Sequence, residues 1–157
     1  MRLALFQPDI PQNTGTMMRL CACLNVPMDI IEPCGFALSD KNLKRAGMDY
    51  LDHLDLTRHM NWQSFRNTDK TKRIILLTTK AQTRFTDFAF QADDTLLVGR
   101  ESAGVPDGVH DACDQRIIIP MAGGVRSINV AVAAAMVLSE ALRQTGLFPE
   151  AKAPNYG

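Results

Sequence analysis

Three short segments gather the polar side chains that could act on a ligand. Pro8 to Arg19 carries Asn13, Thr14 and Arg19; Leu97 to Pro106 carries Glu101 between Gly99 and Gly104; Arg126 to Leu138 opens with Ser127 and Asn129. Each lies where an apolar run ends or a helical pattern starts, the position at which open α/β sheets bind ligands. Carboxamides, hydroxyls, a carboxylate and a guanidinium can orient a bound molecule there through directed hydrogen bonds. Singly, each also has a plain structural use: Asn13 and Thr14 as early helix residues, Glu101 as a loop anion, Ser127 with Asn129 as a cap.

Other chemistries are poorly served. Gly99 to Gly104 has the G-x4-G spacing of a phosphate loop, but Val105 and Pro106 follow in place of the required Lys and Ser or Thr. No G-x-G-x-x-G follows an apolar run, which argues against a dinucleotide-binding Rossmann site. His53, His59 and His110 lack ligand spacing, and Cys21, Cys23, Cys34 and Cys113 form no C-x-x-C pair. No metal site is expected. The thiols read as small apolar groups kept reduced by their compartment.

The elements that must position these residues follow from periodicity. Apolar runs predict buried strands at Leu3 to Phe6, Met28 to Ile31, Ile74 to Thr78, Thr95 to Val98 and Arg116 to Ile119. Helical patterns cover Pro11 to Leu24, Asp40 to Ala46, Trp62 to Asn67, a short turn near Asp107 to Cys113, and Ile128 to Gln144. Pro11 suits a first helical turn, Ser127 can cap the last helix, and Gly146 stops it. The alternation implies an α/β domain with a mainly parallel sheet. Val130 to Leu138 is apolar nearly all round, so that helix needs burial on several sides, within the core or against a second subunit.

The 157-residue chain is of single-domain size, and 46% apolar with 22% charged residues makes it neither disordered nor fibrous. Its longest apolar run, Val130 to Leu138, falls well short of the ~20 residues a membrane helix requires. Asp9 arrives too early for a secretory signal, and a cytoplasmic location is expected. Seventeen basic residues balance seventeen acidic ones, which removes the global signature of a nucleic-acid binder. Locally the balance breaks. Lys41 to Arg84 holds ten basic residues against Asp49, Asp52, Asp55 and Asp69, a surplus of +6. That segment is either a solvated basic face or a phosphate-binding surface.

In this order and spacing, the three polar segments resemble the motifs of the SpoU branch of the SPOUT RNA methyltransferases. The pattern N-T-G-x-x-x-R, then G-x-E-x-x-G-x-P, then S-x-N-x-x-x-A, spans Asp9 to Leu138. The likeness is nearest to the minimal tRNA 2′-O-methyltransferases that act on cytidine or uridine 34. Ile31 to Phe36, Leu43 to Tyr50, Thr78 to Lys80 and Arg143 with Gln144 carry that closer match. One position departs: the second motif usually reads G-P-E, and here Arg100 replaces the proline.

The resemblance implies one SPOUT methyltransferase domain over 1–148, an α/β fold with helices on both faces and a deep trefoil knot toward its C-terminal end. Residues 149–157 would form a loose tail. It further implies S-adenosylmethionine held by Leu77, Thr78, Gly99, Glu101, Ile119, Met121 and Ser127, and a homodimer joined through the first and last helices. With no added RNA-binding domain, the tRNA anticodon stem-loop would meet the basic segment at Lys41, Lys44 and Arg45.

The implied reaction is in-line transfer of a sulfonium methyl to a ribose 2′-hydroxyl, which asks the protein mainly to align atoms and exclude water. Arg19, on one helix with Asn13 and near its face, would position ribose and phosphate or remove the hydroxyl proton. A guanidinium pKa above ~12 favours positioning. Asn13, Glu101, Ser127 and Asn129 would orient Arg19 or the ribose. Two other readings fit the motifs: a 2′-O-methyltransferase for ribosomal RNA, and a non-catalytic RNA-binding or assembly module that keeps the fold. The five polar residues together argue against the second, because an idle site has no physical need for them.

Overall fold

Seven strands form one sheet in the computed structural model, which describes residues 1–39, Lys41 and 51–151. In chain order they are β1 (Arg2–Phe6), β2 (Met28–Ile31), β3 (Leu56–His59), β4 (Ile74–Leu77), β5 (Thr83–Arg84), β6 (Thr95–Val98) and β7 (Gln115–Ile118). Their spatial order is β3-β2-β1-β6-β4-β7-β5, and every neighbouring pair is parallel. Parallel strands need crossovers, and these bring helices onto both faces. Among the described residues the helices are α1 (Pro11–Leu24), α2 (Trp62–Thr68), α3 (Asp107–Ala112) and α4 (Val130–Thr145), with a 3-10 turn at Leu51–His53.

Alternation along the strands divides the core. Leu3, Leu5, Met28, Ile30, Leu96 and Val98 face α1 and α4, where Met17, Met18, Val137 and Leu138 close the larger cluster. Ala4, Phe6, Ile31, Leu76 and Leu97 face α2 and α3 and take up Phe65 and Val109. Full burial of each large aliphatic contributes roughly 1.5–3 kcal/mol, so the α1/α4 face carries most of the apolar free energy. On α4, Ala131, Ala134, Leu138 and Ala141 recur at helical spacing and turn inward. The outward side is not covered: Val132 is 51% exposed and Met136 40%.

The predicted central strands are present, each within one residue at either end. The two missed strands, β3 and β5, are the sheet's two edges. Their sequences, LTRH and TR, are polar because one side of an edge strand meets water, so no apolar run marks them. A second correction concerns the last helix. It starts at Val130, and its cap is Asn129, whose Oδ1 accepts from the N–H groups of Ala131 and Val132 at 2.9 and 3.3 Å. Ser127 lies two residues too early to reach those orphan donors. Pro11 opens α1, and Gly146 ends α4 in the left-handed region at φ 67°. The helix expected over Asp40 to Ala46 lies outside the described residues except for Lys41, which is helical and exposed.

The basic segment is partly spent on ion pairs. Arg58 meets Glu32 at 2.7 Å, Arg73 grips the buried Asp94 at 2.8 Å, and Lys72 stands 3.5 Å from Asp69. Lys70, Lys80 and Arg84 stay exposed with Lys41; Lys44 and Arg45 lie outside the described residues. No helix among the described residues is long and apolar enough to cross a membrane.

Candidate active site

A cavity of about 420 Å³ opens at the carboxyl ends of β4, β6 and β7. It adjoins the β1–β6 boundary, where the chain's progress across the sheet reverses, the usual ligand position in such folds. Leu77, Thr78, Gly99, Glu101, Ile119, Met121 and Ser127 all line it, together with Asn13 and Asn129. Residues from three distant stretches thus meet in one place. Arg19 does not line the cavity and is exposed on α1. Six residues turn a helix by about 600°, which leaves Arg19 a third of a turn from Asn13, so the expectation of a shared face is corrected.

Hydrogen bonds join the three polar segments into one chain. Asn129 Nδ2 donates to Asn13 Oδ1 at 2.9 Å, and Asn13 Nδ2 donates to Glu101 Oε1 at 3.3 Å. Asp9 N–H donates to Glu101 Oε2 at 3.0 Å, and Glu101 N–H donates back to Asp9 Oδ1 at 3.1 Å. Ser102 Oγ closes the series on Asp9 Oδ2. The start of α4, the first turn of α1 and the loop after β6 are therefore fixed to one another by side chains.

That loop depends on two close approaches. Arg100 and Gly104 exchange both backbone hydrogen bonds at 2.9 Å, pinching the loop shut. A Cβ on Gly99 would fall 2.6 Å from the Gly104 carbonyl carbon, so only glycine fits. The G-x4-G spacing here builds a pinched turn, with no phosphate cradle. A proline at position 100 could not donate the bond to Gly104. On the other side, a Cβ on Gly35 would fall 2.6 Å from Asp9 Cβ, and Gly35 N–H holds Pro8 O at 2.9 Å. Asp9 is packed between the two loops.

The electrostatics of the pair are opposed. Hydrogen bonding with Glu101, helped by Ser102 and the Glu101 N–H, holds Asp9 down to about 2. Burial, and then the Asp9 carboxyl, push Glu101 above its ordinary value. Two neighbouring carboxyls cannot ionise independently, and the one facing the cavity takes the higher value. Asp9 was not among the sequence candidates. Its signal was a carboxylate at a strand's end between two prolines, Pro8 and Pro11, which is weak without the partner 92 residues away.

The lining suits S-adenosylmethionine. Leu77, Val98, Ile118, Ile119 and Ile128 give apolar walls for a flat base, and Thr78, Glu101 and Ser127 give polar groups at the edge. The volume falls within the ~300–1,000 Å³ of small-molecule sites.

Residues 1–139 match the model of the SpoU rRNA Methylase family. A tRNA (cytidine(34)-2'-O)-methyltransferase of Beijerinckia indica subsp. indica is 60% identical over 146 residues, 92% of this chain and 91% of that one. A structure solved for insights into the 2-OH methylation of C/U34 on tRNA superposes with a TM-score of 0.85 at 40% identity, covering 91% of this chain and 94% of that one. The SpoU methyltransferase AviRb from Streptomyces viridochromogenes, in complex with the cofactor AdoMet, shares the fold with a TM-score of 0.83 at 24% identity. That match covers 92% of this chain and 57% of the other. This chain belongs to the SpoU rRNA methylase family.

Proposed function

We propose that this chain transfers a methyl group from S-adenosylmethionine to the ribose 2′-hydroxyl of nucleotide 34, the wobble position, of tRNA. The observation that carries the chemistry is the convergence of Asn13, Glu101, Ser127 and Asn129 on a cavity that suits the donor. The choice of nucleotide 34 rests on the relatives that share 40–60% of their residues with this chain.

The donor, when bound, supplies a methyl already activated on sulfur, so the protein needs no nucleophile of its own. Its residues have to align the hydroxyl and keep water out. Asn129 spends its Oδ1 on two backbone N–H groups and one Nδ2 proton on Asn13, while Asn13 spends Oδ1 on Asn129 and one proton on Glu101. Each carboxamide keeps a second N–H that can point at a ribose oxygen. Glu101 fixes the Asn13 amide so that it cannot turn. Arg19, on the exposed side of α1, grips the ribose and its phosphate as RNA enters beside the helix, a task suited to a planar fork of donors.

The remaining features belong to the same reading. The chain works as a cytoplasmic homodimer, with the exposed Val132 and Met136 of α4 covered by a second copy together with α1. The backbone around the donor cavity forms the family's trefoil knot, and residues 1–148 make a single domain with 149–157 as its tail. Lys41, Lys44 and Arg45 contact the anticodon stem-loop. Mass mapping of 2′-O-methylated nucleotides in tRNA from cells with and without the protein tests the reading. Loss of a methyl at nucleotide 34 is expected; an unchanged tRNA map with a methyl lost from ribosomal RNA would refute it.

A further inference from the structure

Arg100 carries more hydrogen-bonding capacity than its surroundings use. Its backbone is fully engaged with Gly104. Its guanidinium is not. Nη1 reaches Gln7 Oε1 only at 3.5 Å, and Nε stands 3.8 Å from Asp9 Oδ2, too far for a hydrogen bond. Nε is buried and lacks a hydrogen-bond partner among the described residues. A guanidinium has five donors in a planar fork, so most of this one stays available. The side chain is 36% exposed, which sets the fork at the cavity's rim.

Two neighbours hold it there without consuming it. Gln7 sits at φ 44°, in the left-handed region that disfavours residues with a Cβ, and its side chain is the acceptor that meets Arg100. Such a conformation persists where the surrounding structure over-determines it. Asp9 already accepts from Glu101 N–H and Ser102 Oγ, so it orients the cation by charge and leaves its donors open. Among the described residues that line the cavity, Arg100 is the only cation.

We propose that the Arg100 guanidinium binds a phosphodiester of the substrate RNA next to the ribose that is methylated. This rests on the methyl-transfer reading above and adds to it a phosphate clamp at the rim. A planar fork takes two phosphate oxygens side by side, which an ammonium cannot. A rim position matches a phosphate that stays partly solvated along an RNA backbone. It matches less well the carboxylate of a donor enclosed in the cavity, the other oxyanion that could reach the fork.

Arg100→Gln keeps the backbone bond to Gly104 and removes the charge, so the loop still closes. Binding of the anticodon stem-loop is titrated across salt concentrations for the wild type, Arg100→Gln and Arg100→Lys, and S-adenosylmethionine affinity is measured calorimetrically. Arg100→Gln should weaken RNA binding about tenfold and shrink the salt slope by roughly 0.7–1. Donor affinity should stay within about twofold. Arg100→Lys should recover the salt slope but only part of the affinity, as expected of a point charge. A loss of donor affinity with unchanged RNA binding would overturn the proposal in favour of the donor's carboxylate. Unchanged binding of both would overturn it outright. A wild-type protein that methylates no tRNA would overturn this proposal and the activity together, whereas an active wild type matched by Arg100→Gln overturns this proposal alone.

Discussion

Two carboxylate clusters of this molecule, one around the buried Asp29 and one around the half-buried Asp9 and Glu101, are built on opposite plans. In one, Asp29 on β2 receives Arg2 Nε at 2.7 Å and Nη2 at 3.1 Å, while His59 Nε2 lies 2.8 Å away. The forked cation and the imidazole take up most of this carboxylate's acceptor capacity. It ties β1, β2 and β3 together. In the other cluster, Asp9 and Glu101 lean on each other and on neutral amides, the nearest cation among the described residues, Arg100, stands back at 3.8 Å from Asp9, and Glu101 opens onto the 420 Å³ cavity. Carboxylates matched with cations hold a fold. Carboxylates matched with each other, with one raised by burial and facing a cavity, are poised for a ligand.

That contrast can be broken from either side. The largest effects are expected around the open cluster. Arg19→Ala should drop turnover to near background with the fold and donor affinity close to wild type, the mark of an interaction made only in the transition state. Glu101→Gln should cost about 100-fold in kcat by loosening Asn13. Stopped-flow or single-turnover methyl transfer, beside a melting curve, separates these losses from unfolding. An Arg19→Ala protein that methylates tRNA near the wild-type rate would make Arg19 a surface ion-pair residue, worth only ~0–1 kcal/mol.

At the closed cluster the effects should exchange places. Asp29→Ala strands the Arg2 cation and should cost about 3 kcal/mol of stability, or roughly 10 °C in Tm. Activity per folded molecule should hold. Denaturant titration and active-site counting check both halves, and a specific loss of turnover in stable protein would show that the closed cluster is no mere brace.

The smallest effect sharpens the contrast through pH. Asp9 is depressed from 3.8 to about 2, so its contribution to stability is complete above pH 4 and is lost as pH falls through 2. Glu101 runs the other way: raised above 4.5, it costs stability as pH climbs from 4.5 through its raised value. Asp9→Asn should therefore flatten the acid loss of Tm. It should also move the acid limb of the kcat profile to lower pH, because burial, the larger cause of the rise in Glu101, remains while the second cause, the Asp9 carboxyl, is gone. An acid limb that stays in place would separate Glu101 from Asp9.

Much of this was legible in the residues, and the gaps have physical causes. β1, β2, β4, β6 and β7 announced themselves because each carries a run of apolar residues, as strands inside a covered parallel sheet do. β3 and β5 gave no such run, since these edge strands carry polar residues on their open side. The three polar motifs pointed to one site, and the cavity brings Asn13, Glu101, Ser127 and Asn129 to it. Asp9 stayed hidden, and Arg100 stood out only as a departure from the motif, for the opposite reason: their meaning lies in pairings with Glu101, Gly104 and Gln7 across the fold, which no local pattern encodes. The cap was misplaced by two residues because Ser127 and Asn129 are both good capping types, and only the helix's true start chooses between them.

The central claim is that the open cluster delivers a methyl to one ribose hydroxyl. The most direct measurement compares two anticodon stem-loops that differ at nucleotide 34 alone, one with the 2′-hydroxyl and one with 2′-deoxyribose, in methyl transfer from labelled S-adenosylmethionine. The account predicts stoichiometric labelling of the first and none of the second. Equal labelling of both would place the methyl elsewhere and contradict it.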